Sequence, residues 1–416
     1  MLPNNIAVIG GGAAGMLAGR RAAECGAKVT LLEKNDRLGM KILISGGGKC
    51  NLTHDGPMEE VRAQFRPNEA RFLKPSFYKS TNEDFLNILH ARGMETYVRP
   101  DGRVFPVEPA NAKNVVALLT RYVEEAGVCV RYGASVTGLV ADNGRIAGVQ
   151  VGGETLAASR VIVSTGGLSY PATGTTGDGW RWLSALGHIL VPLRAALAPI
   201  YLNDVEPDWS GVALRETTLR ARAGVGGKEF ARWSGDLLFT HKGMSGPTAL
   251  GVSREVAERE AAPSVLEADL APRLTWEELQ SDLRRQALEN PRKTVATLAA
   301  PFVPSRLLEP LLEAAGIPGD TRGAYLKAKS LNKLVTTIKG WPLGSVRHVP
   351  LERGEVVAGG VALEEVDPQT MQSKLIRGLF LCGEVLDIAG PVGGYNLQAA
   401  WSTGWVAGEA AAQMSP

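Results

Sequence analysis

Short apolar runs that end on glycine recur along this chain and set the elements it predicts. Ile6-Ala7-Val8-Ile9 is continuously apolar, the pattern of a strand buried on both faces of a parallel sheet, and it leads straight into Gly10-Gly11-Gly12-Ala13-Ala14-Gly15. Small residues with Met16, Leu17 and Ala18 then predict a helix stopping near Gly26, and residues 28–32 a second strand ending at Glu33. Over 111–126, apolar Val115, Val116, Leu118, Leu119, Tyr122 and Val123 at three-and-four spacing predict a helix. Strands are expected at 128–132, 135–140, 145–151 and 160–163, the last running into Thr165-Gly166-Gly167. From about residue 196 the character changes. Strand-like pieces at 212–222, 228–233 and 236–240 precede a charged, helix-like stretch over 275–336, broken by Pro301, Pro304, Pro310 and Pro318. The opening pattern returns at 378–382, before Gly383-Glu384, Asp387 and a last helix opened by residues 393–398. The expected fold is α/β: a discontinuous Rossmann-like domain over 1–195 and 345–416, an inserted β-rich domain over 196–270 with part of 337–360, and a small helical insertion over 271–336.

Composition narrows the class. Of 416 residues 44% are hydrophobic and 21% charged, which excludes wholesale disorder. Lys plus Arg is 45 against 43 for Asp plus Glu, so the net charge of +2 gives no overall field toward nucleic acid or anionic lipid, and neither partner is expected. The first nineteen residues lack a basic leader and the uncharged run at 388–408 is broken by Pro391 and glycines, so a cytoplasmic protein without a membrane span is expected. Cys25, Cys50, Cys129 and Cys382 are scattered, with no C-x-x-C and no metal-type spacing to histidine.

Gly10, Gly12 and Gly15 satisfy G-x-G-x-x-G in the context that gives the motif meaning: strand before, helix after, acid at the end of the next strand. Gly10 permits the tight turn, Gly12 lets a pyrophosphate approach the backbone, and Gly15 lets helix and strand pack closely. The helix N-terminus offers free N–H groups to phosphate, and Glu33 is placed for ribose hydroxyls. Both nicotinamide and flavin dinucleotides use this fingerprint. The glycine-rich residues 39–51 directly after the second strand suit the longer flavin cofactor, and Lys41 and Lys49 either offset phosphate charge or are simply solvated. Asp178, after Gly174-Thr175-Thr176-Gly177, is a helix cap or a ligand group. His241, in Leu238-Phe239-Thr240-His241-Lys242-Gly243-Met244-Ser245-Gly246-Pro247, is an acid–base candidate or a structural histidine.

Taken with residues 44–51, 169–179, 358–361 and above all 378–398, these motifs resemble the BaiN-like and aminoacetone-oxidase-like FAD-binding flavoproteins, relatives of the fumarate reductase flavoproteins, over nearly the whole chain. The resemblance implies FAD held by a discontinuous domain. Ile9, Gly10, Gly12, Ala13, Ala14 and Gly15 would meet the pyrophosphate, Glu33 the adenosine ribose, with Lys34 and Lys41 nearby. Ser45, Gly46, Gly47, Cys50 and Asn51 would run toward the flavin, Val136 would lie by the adenine, and Thr165, Gly166 and Gly167 near the adenosine half, with Asp178 a further cofactor-binding candidate. Gly383, Glu384 and Asp387 would meet the ribityl-phosphate region, and Gly394, Tyr395, Asn396, Leu397 and Gln398 the pyrimidine edge. It further implies an FAD-dependent oxidoreductase that moves a hydride between flavin and a small organic substrate, by alkene reduction or amine oxidation, reductase rather than oxidase. Proton handling is expected from His241, Tyr395 or Tyr170, and NAD(P)H is a candidate transient donor, since no second dinucleotide motif occurs. The alternative is an RNA-modifying or redox-responsive flavoprotein that binds a macromolecule.

Overall fold

The computed structural model describes residues 5–414; residues 1–4 and 415–416, with the start of the N-terminal leader reading, lie outside the described residues. The chain divides into two compact units, residues 1–193 with 356–416, and residues 194–355.

The first unit is built on a five-stranded parallel sheet: β1 (Asn5–Ile9), β2 (Lys28–Leu32), β3 (Cys129–Arg131), β4 (Arg160–Val163) and β5 (Leu379–Leu381), in spatial order β5-β4-β1-β2-β3. Every side chain of β4 is buried, as its unbroken apolar centre requires of a strand covered on both faces. The strand order reverses between β1 and β4. A ligand crevice forms at such a switch point, outside the carboxyl ends of the strands. Helix α1 (Ala13–Glu24) connects β1 to β2 and packs against α2 (Tyr395–Gln413) with backbones nearly touching: a Cβ at Gly404 would lie 2.2 Å from Ala14 O, and one at Gly408 2.2 Å from Ala18 O. This Gly-x-x-x-Gly seam joins the two ends of the chain into one unit. The unit also holds two three-stranded antiparallel sheets, one formed by Thr53–His54, Arg103–Pro106 and Thr96–Val98, the other by Val136–Asp142, Arg145–Val151 and Glu154–Ala157.

The second unit is a closed six-stranded barrel of Ile200–Leu202, Gly243–Ser245, Glu229–Thr240, Ala213–Arg222, Val265–Asp269 and Trp341–His348. The strand pieces expected at 228–233 and 236–240 are one strand, continued across Gly235 (φ +150°) where the register with its neighbour shifts. Trp341–His348 closes the barrel, so the chain re-enters the first unit at Val356 and not at the expected 345. Nor do the helices over 271–336 form a core of their own: Leu279, Leu283, Leu307, Leu311 and Leu334 share one continuous apolar cluster with barrel residues Leu219, Phe239, Leu266 and Trp341. Pro310, expected as a break, lies inside helix Ser305–Ala315, where burial of Leu307, Leu311 and Leu312 outweighs the lost backbone bond. Among the described residues no helix is long and apolar enough to cross a membrane.

Candidate functional site

The three glycines of the first turn are used as their spacing implies. Gly10 has φ +97°, and a Cβ there would meet Ser164 O at 2.7 Å. A Cβ at Gly15 would sit 1.9 Å from Gly10 O, so only glycine fits where α1 lies against the turn. At Gly12 a Cβ would meet nothing within 4 Å. Gly12 is also the N-cap of α1, with no side-chain cap and no acid in the first turn, so the N–H groups at this helix start lie beside open space. Ala13 and Ala14 form that first turn, directly after Ile9 and the glycines.

Glu33, almost fully buried, braces this turn from the end of β2. Its Oε2 accepts from Gly11 N (2.7 Å), and its Oε1 accepts from Asn35 N (2.9 Å) and Asn35 Nδ2 (2.7 Å). The carboxylate is held at the strand's end with lone pairs left for hydroxyl donors. Ala134 N donates to Glu33 O (2.9 Å), which brings Val136 to the same edge.

Four charged candidates are committed to one another. Lys34 Nζ donates to Asp178 Oδ2 (2.8 Å) and Thr176 Oγ1 (2.7 Å), and Arg181 also pairs with Asp178. Burial opposes ionisation of Asp178, but the bonds from Lys34 and Thr176 outweigh it and hold the carboxyl below the usual carboxylate range. The N-cap of its helix is Gly177, so Asp178 is not the cap the sequence suggested. Lys41 Nζ reaches Glu384 Oε2 (2.7 Å) and Ser169 Oγ (2.5 Å), while Glu384 Oε1 accepts from Val357 N (2.9 Å). Lys49 bonds Glu108 at the surface (3.3 Å). Both lysines thus pair with carboxylates of the chain, Lys41 with half-buried Glu384 and Lys49 at the exposed surface. Asp387 Oδ1 accepts from Gly359 N (2.9 Å). Side chains of Glu384 and Asp387 thus tie the segment after β5 to residues 357–359.

The loop after β2 turns on three consecutive left-handed glycines, Gly46, Gly47 and Gly48, and on Cys50 after the right-handed Lys49. A Cβ at Gly47 would meet nothing within 4 Å, a second open stretch of backbone. Ser45 Oγ donates to Ile42 O (2.8 Å). With its amide turned, Asn51 accepts from Gly394 N (2.9 Å) and donates to Thr53 O (3.1 Å), which pins the loop to the start of α2. Cys50 and Cys382 are fully buried; burial pushes the Cys50 thiol up to about 12 and the Cys382 thiol up as well. They pack and do not react. On the adenosine side, Gly166 has φ +70° and a Cβ at Gly167 would meet Glu384 Oε1 at 2.9 Å. The Thr165 hydroxyl is buried without a partner, beneath Gly179.

At α2 the amides of Asn396 and Gln398 hydrogen-bond within the fold. Asn396 bridges Gly390 N (2.8 Å) and Gly390 O (2.9 Å), and Gln398 accepts from Thr53 Oγ1 (2.6 Å) while donating to Ser402 Oγ (2.9 Å). What α2 offers a ligand is its uncapped first turn, Tyr395 to Leu397, after Gly394 (φ +93°). Gly383 (φ +72°) donates to Thr403 Oγ1 (3.0 Å), seating the β5 turn on the same helix.

His54, which the motifs did not single out, stacks on Tyr395 with centroids 4.5 Å apart and planes 19° from parallel. Its Nδ1 lies 3.0 Å from Gly393 O; a carbonyl only accepts, so Nδ1 carries a proton and donates it there. Burial first, then the negative charge of Asp101, raises the Tyr395 phenol above its ordinary value. The only sequence signal for His54 is its position three residues past the glycine loop, which carries no chemistry by itself. Of the other proton candidates, Tyr170 sits in the left-handed region (φ 50°) at the start of the turn Pro171–Thr173. His241 is exposed at the hairpin end of strand Glu229–Thr240, in the second unit.

These residues fit a flavin dinucleotide on their own geometry: open space at Gly12 and Gly47, a braced carboxylate at the end of β2, and uncapped helix starts at α1 and α2. A family model described as the HI0933-like protein Rossmann domain matches residues 4–410. The chain is 29% identical to a ribosomal RNA dihydrouridine synthase of Escherichia coli over 96% of its own length and 95% of that protein's. It is 30% identical to a 3-dehydro-bile acid delta(4,6)-reductase of Clostridium scindens over 99% of both chains. Among solved structures, its fold is similar to a 3-ketosteroid delta1-dehydrogenase of Sterolibacterium denitrificans, with a TM-score of 0.56 at 15% identity over 98% of this chain and 99% of that one. It is also similar to FrdA of E. coli quinol fumarate reductase, with a TM-score of 0.51 at 16% identity over 98% of this chain and 70% of that one. The chain belongs to the HI0933-like family of Rossmann-fold, FAD-dependent oxidoreductases.

Proposed function

We propose that this protein reduces a carbon–carbon double bond conjugated to a carbonyl. The observation that carries the reading is the full-length match to two kinds of relative whose named activities share that chemistry. A dihydrouridine differs from uridine by two hydrogens across the ring double bond beside a carbonyl. A delta(4,6)-reductase of a 3-oxo steroid acid likewise saturates bonds in conjugation with the ketone. In both, a hydride adds to the carbon remote from the carbonyl and a proton to the carbon beside it.

When bound, FAD supplies the hydride store, accepting two electrons from an external donor and delivering them to substrate. NAD(P)H is the donor class we assign, taken up transiently. The chain's own residues do the holding. The α1 N-terminus and the bare backbone at Gly12 receive the pyrophosphate, and the Glu33 carboxylate, fixed by Gly11 and Asn35, receives ribose hydroxyls. The positive end of α2 favours negative charge at the pyrimidine edge. Tyr395 holds the proton at Oη: with its phenol raised it stays protonated at neutral pH, and the stacked His54, anchored on Gly393 O, fixes the plane of its ring. Tyr170 and His241 are the alternative donors.

A small enone is the simplest substrate. A uridine within RNA is the second reading, favoured by two relatives named for ribosomal RNA, the second being a Haemophilus influenzae protein 30% identical over 96% of this chain. Anaerobic incubation of the reduced holoenzyme with cyclohexenone, a 3-oxo-4-ene steroid acid and uridine-containing RNA, followed by mass analysis, tests the reaction. A product gaining two hydrogens is expected from at least one of them. Recovery of all three unchanged, with hydrogen peroxide formed once oxygen is admitted, would overturn it.

A further inference from the structure

We infer that the second unit carries a docking surface for single-stranded RNA, made by Arg292, Lys293, Arg322, Lys327 and Lys329 around the ring of Tyr325. The inference rests on the reading above and deepens it, by naming a uridine-bearing strand as what delivers the reducible bond.

The near-neutral total charge conceals a segregation. Residues 321–351 hold six Lys or Arg and no Asp or Glu. The fold places a second basic segment alongside: Gly323 N donates to Lys293 O (2.8 Å), Ala324 N to Pro291 O (3.1 Å), and Thr294 forms an isolated bridge with Arg322. Cations distant in sequence thus become neighbours, which is why no run of Lys or Arg announces them. All five are exposed, and among the described residues none is in an ion pair or side-chain hydrogen bond. That is unlike Arg220, Arg222 and Arg285 of the same unit, which pair with Asp269, Glu267 and Asp282. Of the acids flanking the surface, Glu289 is engaged by Arg285 and Asp320 stands at its edge.

Two further features favour a nucleic-acid strand. Tyr325 is 73% exposed in the middle of the cations, a free ring face for a base to stack on. The helix Ala328–Lys339 begins here with Lys327 at its N-cap, no side-chain cap and no acid in its first turn, which adds bare N–H donors and the positive end of the dipole. Cations and N–H groups take phosphates and the ring takes a base, the alternation that a single strand presents. Leu288 is also exposed (73%), so an anionic membrane is the competing partner that the test must separate.

The test measures binding of a fluorescently labelled uridine-rich single-stranded oligonucleotide to the holoenzyme across a salt series. With four to five phosphates neutralised, log affinity should fall against log salt with a slope of about −3. The combined variant Arg322→Gln, Lys327→Gln, Lys329→Gln should make that slope shallower by about 2. Tyr325→Ala should weaken binding by about 5- to 100-fold with the slope unchanged. Both variants should retain flavin absorbance and cyclohexenone reduction, which shows that they fold. An unchanged slope in the triple variant, or tighter binding to phosphatidylserine vesicles than to the oligonucleotide, would overturn the proposal. Should the oligonucleotide bind as expected while no substrate is reduced, the reaction reading falls and the surface stands.

Discussion

Gly12 and Gly15 differ by three positions and have opposite jobs, and substitution should separate them. A Cβ at Gly12 enters open space at an ordinary φ of −80°, so Gly12→Val should keep the unfolding free energy of the apoprotein within about 0.5 kcal/mol of wild type while flavin content falls to near zero. A Cβ at Gly15 collides with Gly10 O, so Gly15→Ala should cost about 1–3 kcal/mol of stability, read by denaturant unfolding of apoprotein. A Gly12→Val protein that purifies fully yellow would contradict the placement of the phosphates. Cys50 gives a pH signature. Its thiol is raised from an ordinary 9.0 to about 12, so in that window the unfolded chain has lost a proton the folded chain keeps. Its contribution is intact below pH 9 and declines as pH rises toward 12, by up to about 1.4 kcal/mol per unit. Cys50→Ala should flatten that part of the stability profile. At this scale the glycine spacing was legible because each glycine has one steric job. The partners of Lys34, Lys41, Asn396 and Gln398 were not, since a polar side chain's bond depends on what long-range folding puts beside it.

Between elements, the seam of α1 and α2 makes the distant chain ends one unit. Gly404 and Gly408 lie against carbonyls of α1, so Gly404→Leu should force the helices apart, lower stability by about 3 kcal/mol or more and release flavin together with the fold. Thermal melts read in parallel by circular dichroism and flavin fluorescence check this; a variant that loses neither would remove the seam from the account. The Gly-x-x-x-Gly spacing stands in the sequence, yet it reads as a seam only once a partner helix is known. Strands β1, β4 and β5 were evident from their apolar runs, because full burial demands nearly unbroken hydrophobicity. Pro310 misled, as local propensity yields to the burial of Leu307, Leu311 and Leu312. The His54–Tyr395 stack belongs to this scale as well. Tyr395→Phe should lower turnover by about 10²–10⁴-fold while leaving the flavin spectrum unchanged. His54→Ala should lower the spectrophotometric pKa of the Tyr395 phenol by making it more accessible, a shift measurable on apoprotein.

For the whole molecule, an even charge total was read as evidence against a polyanionic partner, but a sum says nothing about distribution. The barrel unit is where sequence reading was coarsest: its long strands are bulged and half exposed, and its closure depends on Trp341–His348 arriving from the far side of the helical stretch. The first turn of the Rossmann unit was legible because its steric demands restrict residue type at Gly10 and Gly15. The claim on which both halves depend is that this chain uses its bound flavin to saturate a carbonyl-conjugated double bond. Anaerobic stopped-flow mixing of the photoreduced holoenzyme with a conjugated enone or uridine-bearing RNA tests it most directly, followed at about 450 nm where oxidised flavin absorbs. The account predicts return of the absorbance at a rate that rises with substrate concentration, with one saturated product per flavin. A trace that stays bleached with every such acceptor, and recovers only when oxygen enters, would contradict it.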